Sequence, residues 1–558
     1  MEYSGLNKKK NTALLHPYLL ALTVCIGVWA FTLCDQDMIS GTTLLMLSGA
    51  GLFLLFRRFI SKEKPQYLKF SLCGAGLAGA AVGLYYLPFK GAYLLLAGIA
   101  VLLFLALKYK RKLIQPENLR ILILLFSVFL YICYVLFTDH SYRQLDAGIL
   151  HDGSGHLRYI EYLHDNWFML PDFDPRTVMQ LYHPPLYYYI AAAVVRFTEL
   201  FGFSYEAAVN SAQVVTLFSA VCTLITADKL FQKAGLRGSG LNAALAITGL
   251  SVPLIMLSAM FNNDCLSIAF SVGAIYCTML WYEKRTMPNM IKTALCVGLG
   301  MMTKLSVGVL AFPIGFVFVY AFFTDLRGFK RYLLQYLVFL AICCPLALWF
   351  PVKNLVIFGV PLGYVPAGAY SEYMQGIPVW KRLFDFSPQH FAAPVTTTAG
   401  GNIFGQHYNF EDYNPVIALI KSSSDMQKFS YADGIASVLY LRFWLILLMG
   451  VSGFISMISS LFVRKPTIER KKTVFFTILY ASMMISYYIF CINFRNIYAE
   501  NIRYVFPVLL TGALYYGALF RSRRNERINK TVKLLLTTAA AVYAATSVAM
   551  ILFVAFEV

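Results

Sequence analysis

The chain has 558 residues, of which 59% are hydrophobic and only 13% charged, with a formal net charge of +19. A soluble domain carries about a quarter charged residues, so the composition excludes an ordinary water-soluble enzyme. Lys and Arg fall in short clusters between apolar runs, as positive-inside topology requires, which excludes nucleic acid as the partner that this charge serves.

Apolar runs recur at the roughly 17–25 residues needed to cross a hydrocarbon core of about 30 Å. They are continuous rather than alternating, so they read as helices and not as barrel strands. The expected fold is an all-α polytopic membrane protein, a helical bundle of about 15 spans. Lys8, Lys9 and Lys10 precede a first span at about 17–34 that reads as an anchor. Spans at about 39–56, 68–88 and 91–108 follow, and residues 1–112 form a set of accessory helices. A fifth span, about 119–138, opens a core that runs to residue 350. With a cytoplasmic N-terminus, five crossings put residue 139 outside, and the polar stretch 139–206 becomes an external loop.

Segment 184–200 decides the topology beyond it. If it crossed, Lys229, Lys233 and Arg237 would fall outside, and every later basic cluster would change side. A helix lying along the surface keeps the charge pattern to the end. Spans are then expected at about 207–229, 239–258, 262–282, 289–303, 305–323 and 331–350, with 289–323 also readable as one long helix. A second external loop covers 351–436, and C-terminal spans occupy 437–558. That loop is long for a connector, so it is expected to be either functional or disordered. Eleven cysteines lie within or beside apolar runs with no Cys-x-x-Cys pair, so they read as small buried residues rather than disulfides or thiolate ligands.

Seven of the eight histidines fall in the two external loops, and histidine suits proton transfer and metal ligation near neutral pH. From Ser154 to Trp167 the pattern is helical and amphipathic, with Asp152, His156 and Tyr159 on one side at its entry. Asp152 fits both a helix cap and a catalytic carboxylate. His183-Pro184-Pro185 is a rigid entry to a second helix. Tyr187, Tyr188 and Tyr189 on it read as an aromatic belt at headgroup level. Asn262, Asn263 and Asp264 start a span on the same side, as a cap or as cavity lining.

These residues resemble the GT-C membrane glycosyltransferases, the superfamily of protein O-mannosyltransferases and lipid A aminoarabinose transferases. Asp152-Gly153 stands for the family's external acidic motif, and His183-Pro184-Pro185-Leu186-Tyr187-Tyr188 for its second surface helix. Met302-Thr303-Lys304 resembles a turn between two core helices, and Asn501-Ile502-Arg503-Tyr504 with Pro507 the entry to a late span. The resemblance covers about 119–350 well and does not account for the first four spans.

It implies transfer of a sugar, with inversion, from a polyprenyl-phosphate donor to an acceptor hydroxyl on a lipid, glycan or protein, at the outer face of the plasma membrane. Asp152 would be the general base. Arg158, Lys304 and Arg503 would offset the charge of the departing phosphate, with His156, Tyr159, His183 and Tyr187 completing the substrate site. The family's second acid is Gly153 here, so its role would fall to another carboxylate, Glu161 or Asp172. No cofactor is implied with certainty. A divalent metal held by Asp152, His156 and His183 is a further reading, since carboxylate plus imidazole suits Zn²⁺ or Mn²⁺. Two rival functions are a transporter or flippase of lipid-linked sugars, and a related polysaccharide polymerase or ligase.

Overall fold

The computed structural model describes residues 17–33, 66–86, 116–138, 155–178, 180–365, 372–426, 433–520 and 526–556. The expected spans 39–56 and 91–108, and Asp152 itself, lie outside the described residues. Helices dominate, and eight of those described are long and apolar enough to cross a membrane.

In chain order the helices begin with α1 (Tyr18–Leu33), α2 (Gln66–Tyr86) and α3 (Pro116–Phe137). Three shorter ones follow: α4 (Gly155–Asp165), α5 (Leu186–Glu199) and α6 (Tyr205–Ser211). At 14 residues, α5 reaches only about 21 Å, too short to cross, as a helix lying on a surface should be. It packs on α4 and α6 through a separate apolar cluster that includes Tyr159, Ile160, Leu163, Tyr187, Tyr188 and Val195. Tyr187 and Tyr188 are therefore fully buried rather than part of an aromatic belt. Tyr189 stays half-buried, so the three do not form one belt, because α5 packs the first two against α4 and its neighbours. Its exposed side carries Ile190, Phe197 and Leu200 instead.

Next come α7 (Val214–Ala234), α8 (Gly238–Gly249), α9 (Val252–Leu257), α10 (Asp264–Glu283), α11 (Met287–Thr303), α12 (Ala311–Thr324) and α13 (Phe329–Phe358). The single span expected at 239–258 is two helices. The chain breaks at Leu250-Ser251, and Pro253 in the first turn restarts it, a position where its missing N–H costs nothing. The pair expected at 289–323 is also two pieces. Lys304 is extended between α11 and a 3₁₀ turn, Leu305–Leu310, that leads into α12. Helix α13 has 30 residues, about 45 Å, so one end runs past the hydrocarbon depth. There Lys353 Nζ donates to Pro171 O at 3.1 Å and Arg176 Nη2 to Phe358 O at 3.1 Å, fastening the first polar loop.

The second long loop is folded. It holds α14 (Glu372–Gln375), α15 (Val379–Phe384), a hairpin of β1 (Gly401–Ile403) with β2 (Gln406–Tyr408), and α16 (Pro415–Ser424). The hairpin turns through Phe404 and Gly405, both at positive φ, the backbone that a two-residue hairpin requires. Helices α17 (Asp433–Phe462), α18 (Arg470–Asn493), α19 (Phe506–Ala518) and α20 (Glu526–Phe556) complete the chain.

Helices α8 and α19 cross at backbone contact. A Cβ at Gly240 would meet the carbonyl oxygen of Gly517, and a Cβ at Gly517 that of Gly240. Small residues at such a crossing let the backbones close up. Gly517→Leu should therefore lower stability by about 1–3 kcal/mol, read as a fall in the thermal midpoint in detergent. Gly315→Ala on α12, where a Cβ has open space, should change it by less than about 0.5 kcal/mol.

Candidate functional site

Five segments meet at one end of the bundle, and each is aimed by its own local chemistry. Gly155, at φ 76°, takes the left-handed backbone that starts α4 and presents His156. The turn before α5 closes with His183 N donating to Gln180 O at 3.1 Å, and the two prolines then fix His183 at the helix entry. Asp264 begins α10, where the helix N-terminus favours a carboxylate. Lys304 caps α11, where the C-terminus favours a cation. Arg503 sits in the 3₁₀ turn Ile502–Val505, whose first N–H groups are steadied by Asn501 Oδ1 accepting from Arg503 N at 3.0 Å.

Asp264 joins these pieces. Its Oδ1 accepts from Lys304 Nζ, and its Oδ2 lies 3.6 Å from Arg503 Nη1. Its neighbour Asn263 donates through Nδ2 to Thr303 O at 3.0 Å, pinning the start of α10 to the end of α11. Both cations also lie on one ring: Lys304 Nζ is 4.7 Å and the Arg503 guanidinium 4.8 Å from the centre of Tyr504. Arg503 Nη2 also donates to the Tyr504 hydroxyl at 2.8 Å. Asp264 and Arg503 are almost wholly buried, while 13% of the Lys304 side chain stays accessible.

The imidazoles stand beside this group. His156 Nδ1 shares a hydrogen bond with the Tyr188 hydroxyl at 2.7 Å, and its ring stacks on His183 at 5.8 Å and 11°. Tyr159 stacks on Tyr188 at 4.1 Å. Burial, and then the charges of Lys304, His156 and Arg503, push the His183 imidazole well below its ordinary range, so it is neutral near pH 7. The phenol oxygens of Tyr159 and Tyr187, and Asn263 Oδ1, are buried with no hydrogen-bond partner among the described residues.

His156, Tyr159, His183, Tyr187, Lys304 and Arg503 thus converge, together with Tyr188, Asp264 and Tyr504. Asp264 was legible only as a cap or lining residue, and Tyr504 only as a member of the Asn501-Ile502-Arg503-Tyr504 motif, without a role. Arg158 lies elsewhere, partly exposed and 3.8 Å from Glu161. Glu161 is thereby engaged on that other side of α4, and Asp172 lies near Lys353 and Tyr162. Neither carboxylate joins the cluster through an interaction seen among the described residues. Asp152 lies outside the described residues, three positions before α4 begins.

Of the three residues expected to hold a metal, Asp152 lies outside the described residues, and His156 and His183 stand side by side. Among the described residues no group of three or more His, Cys, Asp or Glu gathers as a metal site. His156 Nδ1 is engaged by Tyr188, and His183 faces the positive charges of Lys304 and Arg503. No step is derived through a metal.

Residues 182–349 match the family model of dolichyl-phosphate-mannose-protein mannosyltransferases. That stretch holds His183, Tyr187, Asp264 and Lys304, so the expected likeness to GT-C membrane glycosyltransferases is met across the core. No curated protein sequence matches the chain. Among solved structures, the chain is similar to ArnT from Cupriavidus metallidurans bound to undecaprenyl phosphate, at 12% identity, TM-score 0.42, covering 78% of this chain and 76% of that one. It is also similar to ArnT of the same organism in the apo state, at 14% identity, TM-score 0.32, covering 77% of each chain.

The depressed His183 imidazole has a signed consequence. Below its unfolded value of about 6.5, the unfolded chain binds a proton that the folded chain resists, so stability falls as pH drops through that value. Thermal midpoints measured from pH 7.5 down to 5 should show this slope, and His183→Gln should flatten it.

Proposed function

We propose that the protein transfers a sugar from a polyprenyl-phosphate donor to an acceptor hydroxyl, with inversion, at the extracytoplasmic face of the membrane. The observation that carries this reading is the cluster of Lys304 and Arg503 on a single carboxylate, Asp264, beside His183 and at the entry to α4. Among the described residues two cations meet one carboxylate in a largely desolvated corner, a setting that suits a phosphate oxygen. The match of residues 182–349 to a polyprenyl-phosphate-dependent mannosyltransferase family supports the same chemistry.

Asp152 takes the proton from the acceptor hydroxyl. The acceptor oxygen forms a bond to the anomeric carbon as the bond from that carbon to the phosphate oxygen breaks, and polyprenyl phosphate leaves. Lys304 and Arg503 hold the charge that grows on the leaving phosphate. Tyr159, Tyr187 and Asn263 are wholly buried and back the site from behind rather than line it. Neutral His183 can donate to a phosphate oxygen.

One cavity can take an isoprenoid chain. A cavity of about 460 Å³ lies between α16, α17, α18 and α19, lined by apolar groups such as Leu447, Phe454, Met484 and Ile502. Ile502 on its wall is the residue before Arg503, so a chain seated there ends beside the cations.

Transfer is tested with a radiolabelled polyprenyl-phosphate sugar and the full chain in proteoliposomes. Asp152→Asn should insert normally and lose about 10²–10⁴ of the turnover. Lys304→Gln and Arg503→Gln should each lose about 10²–10³. Full turnover in Asp152→Asn would sink the assignment of the base. Movement of donor across the bilayer without new glycosidic bonds would make the protein a transporter.

A further inference from the structure

We propose that Arg382 and Glu500 are positioning residues that set Arg503 against the leaving phosphate, so that the second long loop governs donor binding. The inference rests on the reading of Arg503 as a phosphate-binding cation.

Arg382, on α15, is fully buried and spends all three kinds of guanidinium nitrogen on separate parts of the chain. Nη2 donates to Glu500 Oε1 at 2.8 Å, Nη1 to Cys491 O at 2.7 Å and Nε to Tyr413 O at 3.3 Å. One planar group therefore ties the loop to the end of α18 and to the residue three places before Arg503. Such a fork fixes direction as well as distance.

The next two residues are tied to the same loop. Asn501 Nδ2 donates to Met426 O at 3.2 Å, and Ile502 N donates to Ser422 Oγ at 3.0 Å. Asn501 Oδ1 in turn accepts from Arg503 N. Thus Glu500, Asn501 and Ile502, the whole approach to Arg503, are held by α15, α16 and the residues after it.

The loop side of this contact is itself rigid. Asp412 accepts from Lys421 Nζ at 2.9 and 3.1 Å and from Thr397 N and Oγ1 at 2.8 and 3.0 Å, and His390 Nδ1 stands 3.2 Å from it. Arg382, Glu500, Asp412 and Lys421 all have side-chain exposure of 0%. None of them can touch a substrate, so any effect on donor binding must pass through the turn they hold. A buried pair of this kind adds little net stability over apolar residues of the same volume, but its directional bonds fix one placement of the turn.

A double-mutant cycle on the full chain in detergent tests this. The probes are undecaprenyl phosphate and undecaprenol, which differ only in the phosphate. Arg503→Gln, Arg382→Gln and Glu500→Gln should each weaken binding of the phosphate by about tenfold or more, while undecaprenol binds each variant as it binds the parent. Arg382→Gln added to Arg503→Gln should cost nothing further, because residues acting through one contact are non-additive. Arg382→Lys, which keeps the charge and loses the fork, should bind the phosphate as weakly as Arg382→Gln. It carries the cycle if the glutamine variant fails to fold.

Equal weakening toward undecaprenol, or losses that add, would make Arg382 a merely structural residue and overturn the inference. Arg503→Gln weakened with Arg382 and Glu500 variants at parental affinity would overturn this inference alone. Arg503→Gln at parental affinity would overturn the phosphate role beneath it.

Discussion

The site depends on one carboxylate. Asp264 holds Lys304 and Arg503, two like charges, in a corner of low dielectric, where repulsion is far stronger than in water. Through that carboxylate the start of α10, the break after α11 and the turn before α19 share one anchor. Apolar packing brings these helices together but is non-directional. The ion pairs and the Asn263 to Thr303 bond give the junction its angles.

That junction lies on a seam. On one side is the main core of the bundle, and on the other the smaller cluster formed by α4, α5 and α6. His156 and His183 belong to the small side, Lys304 and Arg503 to the large one. Within the small side Tyr188 joins α5 to α4, meeting His156 through its hydroxyl and Tyr159 through its ring. The far end of α13 ties down residues 171–176, so the small side is held from two directions.

Much of this was legible in the sequence, and for physical reasons. Hydrophobic length marked the helices, and the placement of Lys and Arg led to α5 being expected along the surface, where the structure has a helix of 14 residues. Extended Lys304 between two helical pieces, and Arg503 in a turn before Pro507, followed from local motifs. What was missed depends on partners far away in the chain. Asp264 read as a cap because its interactions with Lys304 and Arg503 span 40 and more than 200 residues. The burial of Tyr187 and Tyr188 depends on α4 packing against them. Arg382 and Glu500 stand 118 positions apart, and no periodicity links them. The break at Leu250-Ser251 was hidden by a continuous apolar run, although Pro253 signals where a helix can restart.

The charge pattern also bears on what the corner can hold. A cation beside His183 would face Lys304 and Arg503, and Asp264 is already engaged by both. An anion meets the reverse: two cations and a neutral imidazole that can donate. Binding an anion also removes part of the reason His183 is neutral, because the positive field that depresses it is then screened. Burial, the larger cause of the depression, stays in place whatever the corner holds. A neutral ring that can donate, set beside two cations, suits a phosphate oxygen better than it suits a metal ion.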